Sequence, residues 1–169
     1  MARDSSGRSE LLERLIADQV KARGQKNAQQ GKLFTEKLEE AINKYQNRGL
    51  TTVEVIEELI KLAKEINEAK PPNDMTEEEF AFYQALIENE SAVRDLGHPA
   101  LRALAHELTD KLRQSATINW QNRKAARARM IMMVKVLLHT HKYPPDRQAA
   151  AIEKVVEQAE LLADTWAAE

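Results

Sequence analysis

The chain has 169 residues, a formal net charge of -2 and no cysteine. A chain of this length can bury roughly 68 to 70% of its unfolded surface, so it needs no disulfide framework to hold a core, and no thiolate metal site can form. The N-terminus lacks the apolar core of a secretory signal, and the longest uncharged apolar run, Met130 to Val134, is far shorter than the ~18 residues of a membrane span. We therefore expect a cytoplasmic protein without a membrane partner. Only five glycines and 31% charged residues, with abundant Ala, Leu, Glu and Lys, favour long helices over a sheet.

The first third of the chain predicts two helices. Residues 1–8 are small and polar and predict a disordered N-terminal edge, which leaves residues 9–169 as a single helical domain. Apolar periodicity predicts a first helix from Ser9, a suitable N-cap, to about Gly24. The polar stretch from Gln25 to Gly31 predicts a connection. A second helix is expected from Leu33 to Gly49, where the glycine suits a left-handed C-cap.

The middle of the chain carries two strong helix-start signals. Thr51 with Glu54 forms a capping box, in which a hydroxyl and a carboxylate each satisfy a backbone N–H, and it opens a third helix that ends before Pro71-Pro72. Thr76 with Glu79 repeats the device for a fourth helix. Two separate helices are therefore expected, one on each side of Pro71-Pro72.

Four further signals complete the predicted fold. A short turn is expected from Ser91 to Gly97, and Pro99 suits the first turn of a fifth helix. A sixth helix begins near Asn119 and stops at Tyr143-Pro144-Pro145, from which a last helix starts. The prediction is an all-α fold, an irregular bundle of six or seven helices.

The sixth predicted helix places two arginines within an apolar stripe. Trp120, Arg123 and Arg127 lie on one face because they recur at intervals of three and four residues. An arginine in a buried stripe must find a carboxylate, so internal ion pairs with the acidic helices are favoured, with contact to a partner protein or to DNA as the alternatives. The second half of the helix is apolar almost all round, which predicts a central helix whose methionines fill the core, with an adaptable binding surface formed by Met130, Met132 and Met133 as the alternative. The apolar residues of this half are Met130, Met132, Met133, Val136 and Leu137.

Charge is distributed unevenly along the chain. From Lys111 to Pro145 there are eight Lys or Arg residues and no acid, whereas Val53 to Asp95 carries twelve acids and four bases. We therefore expect the basic segment to contact an acidic surface, either within the chain or on a partner. The candidate basic face consists of Lys111, Arg113, Lys124, Arg129 and Lys135.

No motif predicts catalysis, a metal or a cofactor in this chain. Gly31-Lys32 lacks both the glycine-rich loop and the Ser or Thr of a phosphate loop. Glu68-Ala69-Lys70 lies at a predicted helix end, whereas the nuclease motif that it resembles needs a strand. His139 and His141 are two residues apart, so on a helix their rings point away from each other.

Several short pieces, in a fixed order along the chain, carry a resemblance to a known family. They are Leu50-Thr51-Thr52-Val53-Glu54-Val55-Ile56, Thr76-Glu77-Glu78-Glu79, Phe82-Tyr83, Ala85-Leu86, Asn119-Trp120 with Arg123 and Arg127, and Tyr143-Pro144-Pro145-Asp146. With these pieces the chain resembles the C-terminal helical domain of the restriction (R) subunit of type I restriction-modification enzymes. The resemblance covers about residues 33–162, and one departure is Asn119, where the family has an Asp; both residues are good helix caps.

The resemblance implies a non-catalytic part of a larger, ATP-dependent, type I site-specific deoxyribonuclease. Its nuclease and helicase domains, with their ATP and Mg²⁺, would lie outside this chain. The implied role is assembly: docking of the motor subunit onto the methyltransferase core of modification and specificity subunits, next to the helicase domains of the parent subunit. Two alternatives remain open, a helical module that binds the DNA backbone and a helical adaptor unrelated to restriction.

Overall fold

The structure, a computed structural model, describes residues 2–47, 49, 51–116 and 121–168, with side chains from residue 7 onward. These residues form eight α-helices, one 3-10 turn (Pro145–Arg147) and no strand. The all-α prediction is confirmed, whereas the predicted count of six or seven helices is too low. The helices are α1 (Ala2–Lys26), α2 (Ala28–Asn47), α3 (Thr52–Glu68), α4 (Glu77–Ile87), α5 (Glu90–Leu96), α6 (His98–Ala116), α7 (Arg123–Thr140) and α8 (Gln148–Ala168).

The chain divides into two compact units. The first comprises Met1–Gln25 and Gln29–Lys70, and the second comprises Lys26–Ala28 and Pro71–Glu169. The organisation of residues 9–169 as a single domain stays a prediction. None of the described helices combines the length and the hydropathy that a membrane crossing requires.

The first unit is a three-helix assembly with its own apolar cluster. Arg23, near the C-terminal end of α1, connects this helix to the other two. Its guanidinium donates to the Gln30 side chain at 2.9 Å and to the Ala69 carbonyl at 3.0 Å. These bonds join the ends of all three helices because Ala69 directly follows α3. The cluster itself contains Ile16 and Val20 from α1, Phe34, Leu38 and Ala41 from α2, and Val55, Leu59, Leu62 and Ile66 from α3.

The second unit holds the larger core. It is formed by α4, α6, α7 and α8, and α5 adds Ala92 to it. At roughly 25 cal/mol per Å² of apolar surface, burial of this many large side chains is the main stabilising contribution. The largest fully buried side chains of this core are Trp166, Tyr143, Phe82, Leu86, Leu101, Leu104, Leu108, Leu112, Met130 and Leu138.

The capping signals at Thr51 and Thr76 agree with helix starts, whereas Ser9, the expected N-cap of the first helix, lies inside α1. The Thr51 hydroxyl accepts a hydrogen bond from the Glu54 N–H at 3.2 Å, and Thr76 accepts one from Glu79 at 3.1 Å. Helix α7 begins at Arg123 and is capped by Asn122. The predicted start at Asn119 lies outside the described residues.

Three stretches are more helical than predicted. Helix α1 begins at Ala2, whereas the sequence indicates a start at Ser9; no proline interrupts this stretch, and extending an existing helix costs far less than nucleating one. The predicted connection after Gly24 shrinks to Asn27 alone. Around it, the Gln158 amide accepts from the Ala28 N–H and donates to the Lys26 carbonyl, both at 2.8 Å, so the broken helix keeps its backbone hydrogen bonds.

The predicted turn after α4 contains helix α5, and this accounts for the additional helix. Asn89 caps it by accepting from the Ser91 N–H at 3.1 Å. Gly97 follows it with a φ of 82°, a conformation that glycine adopts without a steric penalty. Both signals are present in the sequence, but seven residues are too few for a visible apolar period.

Candidate interaction surface

Helix α7 carries most of the residues that the sequence marks as functional, and it belongs to the second unit. It packs against α6 and α8. Its buried side chains are Ala126, Met130, Val134, Leu137 and Leu138. Trp120, the aromatic member of the predicted site, lies outside the described residues.

The two arginines of the predicted site pair with α8. Arg123 donates to Asp164 at 2.8 Å, and Arg127 donates to Glu160. All four side chains are substantially exposed to solvent. The arginines therefore make exposed ion pairs with α8, a helix outside the acidic segment between Val53 and Asp95. The stripe reaches only the edge of the α7–α8 contact, so solvent hydrates these charges.

Arg127→Ala is consequently expected to change the free energy of unfolding by at most about 1 kcal/mol. An exposed ion pair contributes little, because its two charges are already well hydrated when they are apart. Arg123→Ala should behave in the same way. Denaturant melts of both variants beside the wild type measure this. A loss of about 3 kcal/mol or more would show that the pair is buried in solution, in conflict with this structure.

The five residues of the candidate basic face lie in two different environments. Lys111 and Arg113, in α6, lie 3.4 Å from Glu107 and 3.6 Å from Glu78. The other three are in α7. Lys124 and Lys135 are exposed and pair with no acid among the described residues, whereas Arg129 is half-buried. Among these five residues, the cations without an acidic partner in the described part of the chain are thus Lys124 and Lys135 of α7.

The outer face of α7 is apolar, contrary to the predicted central position of this helix. Met130 fills the core and Met133 is half-buried, but Met132 is 60% exposed and Val136 is 58% exposed. Part of the all-round apolar pattern therefore faces solvent in this structure. The sequence singled out this helix but assigned its outer residues to the core.

The Tyr143-Pro144-Pro145-Asp146 motif turns the chain from α7 into α8. Tyr143 is buried, its hydroxyl donates to the Leu86 carbonyl at 2.8 Å, and burial raises the pKa of the phenol. Gln148 donates to the Tyr143 carbonyl at 2.9 Å. The motif thus forms the turn between α7 and α8.

A groove of about 560 Å³ lies between this motif and the corner at which α4 meets α5. Its lining contains three cations and three acids, so it offers no net charge to a phosphate group. The charged lining residues are Arg94, Arg147, Lys154, Glu88, Glu90 and Asp146. In the described residues, no group of three His, Cys, Asp or Glu side chains could hold a metal ion.

Two histidine–carboxylate contacts connect α6 with its neighbours. His106 lies 2.9 Å from Glu79 of α4 and 3.5 Å from Asp110, and His141, at the end of α7, lies 2.7 Å from Glu107. The hydrogen bond to Glu79, followed by the charges of Glu79 and Asp110, raises the pKa of His106. The hydrogen bond from His141 lowers the pKa of Glu107.

The pKa of His106 should therefore lie above its ordinary value of 6.5. A raised pKa means that the charged ring favours the folded state, so this contribution is fully present below pH 6.5 and is lost as the pH rises through the raised value. An NMR titration of the ring measures it. Glu79→Gln should lower this pKa more than Asp110→Asn does; a wild-type value at or below 6.5 would contradict the contact.

Comparison with known proteins identifies the class to which this all-helical chain belongs. Residues 4–165 match the model of the family described as type I restriction enzyme HindI endonuclease subunit-like, C-terminal. The chain therefore belongs to this family of C-terminal restriction-subunit domains. No solved structure matches it significantly.

Two curated relatives are much longer than this chain. It is 40% identical over 156 residues to the type I restriction enzyme HindI endonuclease subunit of Haemophilus influenzae, a match that covers 90% of this chain and 15% of that protein. It is 42% identical over 81 residues to the putative type I restriction enzyme MjaIXP endonuclease subunit of Methanocaldococcus jannaschii, covering 46% of this chain and 8% of that protein. The chain thus spans a small part of each relative.

Proposed function

We propose that this chain is a non-catalytic assembly domain that docks the motor and nuclease subunit of a type I restriction enzyme onto its methyltransferase core. The family supports membership of the restriction subunit. The observation that favours a docking role is the outer face of α7, where exposed apolar side chains lie beside lysines that pair with no acid among the described residues. Protein interfaces combine an apolar centre with a polar rim in this way.

The catalytic steps belong elsewhere in this proposal. Neither a phosphate-loop sequence in the chain nor a cluster of metal-ligating side chains in the described residues supports a reaction here. ATP and Mg²⁺ would act in the other domains of the parent subunit. We expect the purified chain to show no ATP hydrolysis and no Mg²⁺-dependent cleavage of DNA. Turnover that co-purifies with the chain and disappears in a matched point variant would overturn this part.

A second candidate function is contact with the DNA backbone during translocation. Lys124 and Lys135 favour it, because exposed cations without partners can neutralise phosphates. Salt separates the two functions. Binding through 6–10 phosphate contacts weakens by roughly 10³- to 10⁵-fold between 50 and 200 mM salt, whereas a mixed protein interface responds weakly.

Assembly itself tests the main proposal. The immobilised methyltransferase core of the same system should retain the purified chain, and deletion of the chain from the parent subunit should abolish assembly and restriction. A point variant on the exposed side of α6, Asp110→Asn, serves as a control that should bind normally. If the core fails to retain the chain and the shortened subunit still assembles and cleaves DNA at normal strength, the proposed function is wrong.

A further inference from the structure

The outer face of α7 has a continuous apolar strip. Ala128, Met132 and Val136 follow one another at intervals of four residues, so their side chains lie in a row along the helix. The row extends for about 12 Å at 1.5 Å per residue. No described element of the chain covers it, as the large exposed fractions of Met132 and Val136 show.

Basic residues flank this strip on both sides. At 100° per residue, Lys124 and Lys135 lie on one side of it and Arg129 lies on the other. The α7 segment contains no acid at all. On α7 itself, the apolar strip is therefore flanked by cations only.

Other exposed apolar residues lack this arrangement. On α3, Glu57 and Lys64 share the face of Val53 and Ile60, so no continuous apolar strip forms. On α1, Leu11 and Leu15 are adjacent and equally exposed, but both charge signs surround them. Scattered apolar side chains of this kind are normal on a protein surface and need no partner.

We infer that the strip of Ala128, Met132 and Val136 with its basic rim is the part of this domain that contacts the methyltransferase core, and that it meets an acidic protein surface with an apolar centre. The inference rests on the proposed function and specifies which face docks. Charge complementarity determines the partner's chemistry, since a basic rim is matched by carboxylates. The apolar centre argues against a DNA duplex, whose backbone would leave Met132 and Val136 without an apolar partner.

A second copy of the chain fits this face poorly. A two-fold dimer brings the same patch of both copies together, so Lys124, Lys135 and Arg129 of one copy would face the same cations of the other. Like charges at close range oppose such an association. The occupant must therefore carry the opposite charge.

The decisive variant is Met132→Gln with Val136→Gln, which removes the apolar strip and keeps a residue suited to helices. Its affinity for the purified methyltransferase core should fall by about tenfold or more, as expected for side chains at the centre of an interface. Leu11→Gln with Leu15→Gln is the matched control: the same spacing, with exposed fractions of 60% and 53%. The control should change affinity by less than about twofold, since exposed side chains outside an interface contribute little to binding.

A charge variant tests the rim. Lys124→Glu with Lys135→Glu should slow association with the core, because rim charges act chiefly on the encounter rate. Both α7 variants should melt at nearly the wild-type temperature, which separates lost binding from lost folding. Biolayer interferometry at two salt concentrations, with the core and with a DNA duplex as the two probes, measures all four chains.

The outcomes separate the inference from the function on which it rests. If the wild type binds the core and the Met132 and Val136 variant binds equally well, this face is not the docking face, and the assembly role stands. If only the α1 control loses binding, docking occurs through α1 and the inference is wrong. If the wild type binds only DNA, or associates with itself through α7, the inference is overturned. Failure of the wild type to bind the core overturns the proposed function as well.

Discussion

Replacing Trp166 with alanine is expected to cost about 3 to 5 kcal/mol, a large part of the stability of a domain of this size. Trp166 is 1% exposed and lies in the core of the second unit, with its ring centroid 6.3 Å from that of Phe82. Alanine would leave a cavity between α4 and α8 that the rigid helices cannot close completely. Far-UV circular dichroism during denaturant unfolding measures the loss without depending on tryptophan fluorescence.

The hydrogen bond of the indole makes a smaller contribution to this loss. Its N–H donates to Glu78 at 2.9 Å, and Glu78 also lies 3.6 Å from Arg113, so the carboxylate keeps a cationic neighbour when the indole is removed. Trp166→Phe, which retains most of the ring volume, should therefore cost clearly less than Trp166→Ala. Equal losses for the two variants would mean that the polar contact dominates, and an alanine variant within about 1 kcal/mol of the wild type would contradict the packing.

Local signals in the sequence predicted most of the helices of this chain. Thr51 and Thr76 mark helix starts because a hydroxyl one residue before a helix satisfies a backbone N–H whatever the tertiary context. Tyr143-Pro144-Pro145 marks a helix end because proline cannot continue a helix. The inward face of α8 is also periodic: Val155, Ala159, Leu162 and Trp166 recur at intervals of three and four residues and are buried.

Features that depend on tertiary contacts could not be predicted in this way. Helix α5 is short and becomes stable only through its packing on the second unit. The break at Asn27 is set by Gln158, which lies far along the chain. A hydrogen bond between the backbone and a side chain so far along the chain produces no periodic pattern in a single sequence.

The candidate site shows the same division. Periodicity predicts that Arg123 and Arg127 share one face, and both pair with α8, through Asp164 and Glu160, whereas the sequence favoured the more acidic middle of the chain. Helix α7 illustrates an ambiguity of pattern. A helix that is apolar all round can be enclosed by its own fold or completed by a partner, and only the exposure of Met132 and Val136 distinguishes the two.

A pair of glycines in the first unit gives the sharpest contrast between neighbouring positions. Helices α1 and α2 approach each other at Gly24 and Gly31, where backbone meets backbone. A Cβ added to Gly31 would lie 2.6 Å from the Gly24 Cα, far inside the ~3.5 Å at which carbon atoms make favourable contact. A Cβ added to Gly24 would lie 3.4 Å from the Gly31 Cα, close to an ordinary contact. The polar composition of this stretch gave no sign of the close approach.

Gly31→Val should therefore destabilise the chain by about 3 kcal/mol or more, since the atom in the way belongs to the backbone and the helices must separate. Gly31→Ala should cost somewhat less, because alanine recovers roughly 0.5 to 1 kcal/mol of helix preference. Gly24→Ala gains the same preference without the clash and should leave stability unchanged or slightly raised. Denaturant melts of the three variants measure the contrast. Equal effects of alanine on stability at the two positions would mean that the helices do not cross at Gly24 and Gly31. Only a close crossing makes alanine destabilising at one of two facing glycines and harmless at the other.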